Sequence, residues 1–203
     1  MRSGRLEAFS DGVLAIIITI MVLEMKVPHG DDLNSLKQIL PVFISYILSF
    51  IYIGIYWNNH HHLMQTVEHI NGNVLWANSH LLFWLSLIPF ASGWMGENNF
   101  TKWPVFIYGF VLFMDGVAYY ILAQTLVKLH GKNSALAKAI GKDRKGIMSV
   151  VIYTIAIVLC LFNSWISLGL YAVVAAMWLI PDKRIEKKLI DEDAIENISK
   201  KSS

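Results

Sequence analysis

The residues that could do chemistry lie near the N-terminus, in Arg5-Leu6-Glu7-Ala8-Phe9-Ser10-Asp11-Gly12. Asp11 opens an apolar stretch, and an ionisable side chain inside a membrane helix marks a functional position by default. At about 100° per residue, Phe9, Gly12, Ile16, Thr19, Ile20 and Leu23 fall on one side of a helix and Asp11 on the other. Asp11 is therefore expected to hold the helix against its neighbours by hydrogen bonds. Candidate partners are Arg5, Trp57, His61 and Asn78. Ion binding or proton transfer by Asp11 is the alternative. The aliphatic stripe fits a lipid or helix contact as well as a pore wall, and Thr19 could bond back to the carbonyl of Ala15.

Two further sets carry titratable groups. His60-His61-His62, with His69, His80 and Glu68 nearby, invites a metal site. Consecutive helical histidines point about 100° apart, so no metal is expected. An anchor between His61 and Asp11 is the favoured reading, and protonation of these histidines would make it pH-sensitive. Asp115, beside Gly116, falls in mid-membrane, where a Tyr, Asn or Ser of another helix should pair with it. There is no His-Glu-x-x-His, Gly-x-Ser-x-Gly or phosphate loop, so no enzyme and no cofactor is expected.

The elements that position these residues must be membrane helices. Of 203 residues, 55% are hydrophobic and 16% charged, too few charges to clothe a soluble domain. A crossing takes about 20 helical residues, and roughly six fill the chain. The spans are expected at Leu6–Val27, Ile39–Trp57, Val74–Trp94, Trp103–Val127, Ile147–Phe162 and Trp165–Ile180. Pro41 should stand near the start of the second, and Pro89 should kink or end the third. Asn58–Asn73 reads as a polar connection and Lys128–Lys145 as a basic linker. Residues 1–181 form the membrane domain and 182–203 a charged tail. The first helix reads as retained, because no small-residue cleavage site follows Leu23. Trp57, Trp76, Trp94, Trp103, Trp165 and Trp178 mostly fall near expected helix ends, as an aromatic belt requires.

With both termini on one side, that side receives 14 lysines and arginines and the other only Lys26, Lys37 and Lys102. This bias puts both termini in the cytoplasm. A net charge of +2 offers nothing to nucleic acid, and the single cysteine, Cys160, excludes an internal disulfide. No internal repeat is visible, which disfavours a transporter built from inverted halves.

Arg5, Phe9, Ser10, Asp11 and Gly12, followed by Ile16, Thr19 and Glu24, resemble the signature of the transmembrane protein 175 family. Trp57 with His60, His61 and His62 is similar to the pair ending that family's second helix, and Asn78 through Pro89-Phe90 to its third. The layout fits over the whole chain, and the motifs are specific over about the first 90 residues. The resemblance implies a potassium channel of the bacterial inner membrane, all-α, with six transmembrane helices per chain. Animal members carry two six-helix repeats, and the single-repeat bacterial kind forms a homotetramer.

In the family the first helix lines the pore. The resemblance makes Ile16 the tightest hydrophobic constriction, with Ile20 and Leu23 as further layers and Thr19 linked to potassium preference. It implies modest selectivity over sodium, since the carbonyl-lined filter of ordinary potassium channels is absent. Arg5, Phe9, Ser10, Asp11, Gly12, Trp57, His61 and Asn78 form its structural motif. The competing expectation is a proton-leak or ion-coupled carrier that uses Asp11, Asp115 and the histidines as a relay.

Overall fold

The computed structural model describes residues 3–67, 69–131, 134, 136–137 and 144–179. Among them the chain forms seven helical segments: α1 (Gly4–Leu23), α2 (Leu33–Gln65), α3 (Gly72–Leu85), α4 (Ile88–Glu97), α5 (Lys102–His130), α6 (Arg144–Cys160) and α7 (Ser164–Leu179). Four spans are long and apolar enough to cross a membrane: α1, α2, the stretch Gly72–Glu97 made of α3 and α4, and α5. Helices α6 and α7 are apolar but shorter. The expected tail and half of the basic linker lie outside the described residues.

Several boundaries differ from expectation. Helix α2 runs well beyond Ile39–Trp57 at both ends. Asp32 caps it, accepting from the Ser35 amide at 2.9 Å and the Ser35 hydroxyl at 2.6 Å. That cap starts the helix two turns before its apolar stretch, so Pro41 is interior to it. At the other end no glycine or proline interrupts residues 55–65, and a helix does not need apolar residues to continue. His60, His61 and His62 are therefore helical, where a polar connection was expected. Helix α1 stops at Leu23, short of Val27.

The third span is two helices. Asn71 caps α3 by accepting from the Val74 amide at 3.1 Å. A proline ring clashes with the carbonyl four residues back and supplies no amide. The ladder accordingly breaks at Ser86–Leu87, with Pro89 in the first turn of α4. Asn99 and Phe100 then turn the chain with positive φ values of 49° and 58°. Phe100 is buried, with its ring 5.3 Å from that of Trp165, which holds this uncommon backbone in place.

Helix α5 is central, packing on α3, α4, α6 and α7, while α1 lies at the edge against α2, α3 and α4. The core beside α5 is apolar with embedded hydroxyls. Ser49 donates to Ser92 at 2.9 Å and lies 3.0 Å from the Tyr108 hydroxyl. Tyr153 donates to Tyr52 at 3.1 Å, and Tyr52 to the carbonyl of Tyr171 at 2.6 Å. Such pairing is what lets polar groups stay buried. Gly109 is required by close approach, since a Cβ there would overlap the Tyr171 hydroxyl.

A two-faced first helix

Helix α1 divides sharply. Leu6, Ser10, Leu14, Ile17 and Met21 recur every three to four residues and are buried. Opposite them Gly12 and Thr19 are exposed, as are Phe9, Ile16, Ile20 and Leu23 at 61%, 58%, 40% and 78%. The whole stripe expected from the sequence thus stands uncovered by the chain's own helices. Thr19 donates its hydroxyl to the carbonyl of Ile16 at 2.8 Å, not to Ala15. The bond uses the hydroxyl proton and leaves oxygen lone pairs unused.

The inner face of α1 is held by hydrogen bonds over its first two turns. Ser3 donates to the carbonyl of Val67 at 2.7 Å. Trp57 donates its indole N–H to Asp11 Oδ1 at 3.0 Å, so one expected partner of Asp11 is correct. His61 does not pair with Asp11. Its Nδ1 lies 2.7 Å from Glu7 Oε1, one turn earlier, and its Nε2 lies 2.8 Å from Gln65. Its ring stacks on Trp57, centroids 6.1 Å apart. Asn78 also serves another residue, donating to Ser10 Oγ at 3.0 Å. With its amide nitrogen so used, its carbonyl accepts from His60 Nε2 at 2.8 Å. This bond puts a proton on His60 Nε2, and its buried Nδ1 has no partner among the described residues. Arg5 is exposed at the start of the helix.

Glu7 and His60 were not assigned roles from the sequence. The signal was present: Glu7–Asp11 and Trp57–His61 are both i, i+4 pairs, which share a helix face. Among the described residues no three His, Cys, Asp or Glu side chains converge as a metal would need.

Asp115 departs from expectation. It is fully buried, and neither carboxylate oxygen has a hydrogen-bond partner among the described residues. Among the described residues no hydrogen bond joins it to Asp11 or to the histidines.

Beyond the clamp, a groove of about 570 Å³ separates α1 from α4, bounded by Val13, Ile16 and Ile20 on one side and Pro89, Phe90 and Trp94 on the other. Glu97, one of its lining residues, pairs with the exposed Lys26 ammonium at 2.8 Å. That hydrogen bond and the charge of Glu97 raise the Lys26 pKa above its ordinary value.

The family model for the endosomal/lysosomal potassium channel TMEM175 matches residues 5–89, the stretch that holds α1 and its clamp. A potassium channel of Chryseobacterium sp. strain P1-3 is 57% identical over 93% of this chain and 98% of its own length. The chain belongs to the TMEM175 family. The crystal structure of a lysosomal potassium-selective channel TMEM175 homolog from Chamaesiphon minutus matches with a TM-score of 0.77 at 26% identity, covering 88% of this chain and 96% of that one. The endosomal/lysosomal proton channel TMEM175 of Danio rerio is 28% identical over 64% of this chain but only 25% of its own length. As a TMEM175 member the chain is a membrane protein, all-helical among the described residues.

Proposed function

We propose that this chain forms a potassium-selective channel with modest preference over sodium, its pore lined by α1 of each subunit in a homotetramer. The observation that carries this reading is the uncovered stripe of α1, whose opposite face is fixed by Trp57, His61 and Asn78. An apolar helix face left open beside a clamped one calls for a second surface. The likeness to proteins named potassium channels supplies the function.

Four copies of Ile16 around an axis make an apolar collar that expels water when narrow, so closure needs no charged plug. Ile20 and Leu23 continue the apolar wall. Potassium sheds hydration water more readily than sodium, so a dry constriction favours it. Thr19 hydroxyl oxygens, freed by donation to the Ile16 carbonyl, replace part of the lost water. Hydroxyls around an apolar ring give a weaker field than stacked carbonyls, hence the modest selectivity. In this reading the subunit crosses the bacterial inner membrane six times, with both termini cytoplasmic.

The test is flux through purified protein in liposomes under potassium or sodium gradients, for wild type and Ile16→Asn. Passive flux favouring potassium, with raised leak and lost preference in the variant, supports the collar. No passive flux, or flux only against a second ion gradient, returns the protein to the carrier reading.

A further inference from the structure

Helices α6 and α7 pack on α5 and on each other, whereas α1 packs on α2, α3 and α4. Between α2, α5, α6 and α7 lies a cavity of about 350 Å³ that the conduction mechanism does not use. Its lining is mostly apolar and aromatic, with Ile55, Val117 and Val150 set among tyrosine rings and Trp178. Tyr120, Ile147 and Val151 also line it and are exposed, so the cavity reaches the surface between α5 and α6. Large apolar side chains exposed on a membrane protein match acyl chains, which makes hydrocarbon the medium from which a guest enters.

The polar groups of this wall are mostly engaged with one another. Tyr153 donates to Tyr52, and Tyr52 to the carbonyl of Tyr171. Tyr119 donates to the carbonyl of Asn59 at 3.2 Å, and Asn59 donates its amide to the carbonyl of Ile55 at 2.8 Å. Trp178 donates to Ser149 at 2.8 Å. Inside the rim, the Tyr56 hydroxyl is the exception. It makes no hydrogen bond among the described residues, yet it is not one of the unpartnered polar atoms sealed off by burial, so it meets free space. That space is this cavity. Tyr56 lines it, and so does Gly116, which faces the same hydroxyl: the one atom within 4 Å of where a Cβ at residue 116 would stand is the Tyr56 oxygen, at 3.9 Å. The missing side chain at Gly116 leaves the phenol uncovered.

We infer that this cavity is a binding site for a neutral, lipid-soluble alcohol or phenol, hydrogen-bonded to the Tyr56 hydroxyl with its apolar body against Ile55, Val117, Val150 and the rings. The volume is that of a small-molecule pocket, and one polar group in an apolar wall fixes a guest's orientation. A buried hydroxyl without a partner forfeits a hydrogen bond, and a guest oxygen restores it. A bare hydrocarbon chain fills the space but leaves the phenol unpaired. Water needs two to four polar partners, which rings and branched aliphatics do not supply. A charged guest meets no opposite charge, since no described lining residue is an acid or a base.

The experiment uses the full-length protein in detergent and fluorine NMR, with protein-free micelles as blank. The probes are para-fluorophenylbutanol, with a terminal hydroxyl, and para-fluoropentylbenzene, with a methyl group in its place. Saturable binding of the alcohol by wild type is expected. Tyr56→Phe breaks no hydrogen bond within the protein. It should weaken the alcohol about fivefold, the worth of one neutral hydrogen bond, and leave the hydrocarbon within about twofold. Val150→Trp, which fills the cavity and keeps Tyr56, should abolish binding of both probes, and it decides the matter if Tyr56→Phe does not fold. No saturable alcohol binding by wild type, full alcohol affinity in either folded variant, or equal weakening of both probes by Tyr56→Phe would overturn the assignment. None of these readouts depends on ion conduction.

Discussion

Trp57 donates its indole N–H to the Asp11 carboxylate at 3.0 Å, joining α2 to α1 on the side opposite the exposed stripe. The contact needs an acceptor at residue 11, not a charge. Asp11→Asn keeps an acceptor oxygen, and its potassium flux in liposomes should stay within about twofold of wild type, since a neutral amide acceptor costs at most about 1 kcal/mol relative to the carboxylate. Asp11→Ala should lower thermal stability measurably. A folded Asp11→Asn channel without flux would instead show that the carboxylate acts directly on the ion.

Asn78 joins two elements in one buried site, donating to Ser10 on α1 and accepting from His60 on α2. Asn78→Leu leaves the His60 Nε2–H unpaired and buried, a loss of about 1–3 kcal/mol. Combining it with His60→Leu removes both polar partners. Thermal unfolding in detergent should then show the pair costing less than the sum of the single changes. Additive losses would mean that the two residues do not share a bond.

The two-faced character of α1 was legible because it depends only on helical period, and Phe9, Gly12, Ile16, Thr19, Ile20 and Leu23, grouped on one side by that period, all stand exposed. The break before Pro89 was equally local. The ends of α2 were not legible from hydropathy, which stops at Trp57 while the backbone goes on to Gln65. A choice between carboxylates one turn apart depends on how α1 slides against α2, which no single helix encodes. Hence Trp57 was matched to Asp11, but His61 was matched there too when it belongs to Glu7. That buried Asp115 has no hydrogen-bond partner among the described residues depends on how the helices pack around it and leaves no trace in its neighbours along the chain.

In the proposed pore, substitutions at Thr19 would separate selectivity from opening. Its hydroxyl proton goes to the Ile16 carbonyl at 2.8 Å, so only oxygen would be offered to an ion there. Thr19→Ala should lower the potassium-to-sodium permeability ratio with the pore still conducting. Thr19→Ser, which keeps the oxygen, should hold the ratio near wild type. Reversal potentials under bi-ionic gradients read both. An unchanged ratio in Thr19→Ala would remove Thr19 from selectivity and leave the collar alone to provide it.

Gly109 and Tyr171 set how closely α5 and α7 approach. The Tyr171 hydroxyl occupies the space a Cβ at residue 109 would take, and it donates to the carbonyl of Val105 at 3.4 Å. Gly109→Ala in a helix interior would by itself gain propensity, so any loss must come from overlap with the phenol. Overpacking of this kind costs about 1–3 kcal/mol, and the single variant should unfold at lower temperature than wild type. Tyr171→Phe removes the overlapping oxygen and a long hydrogen bond but leaves ring carbons Cζ and Cε1 crowding the added methyl. The double variant should therefore regain only part of the stability lost by Gly109→Ala. A double variant no more stable than Gly109→Ala would mean that the ring carbons, not the oxygen, resist the added methyl.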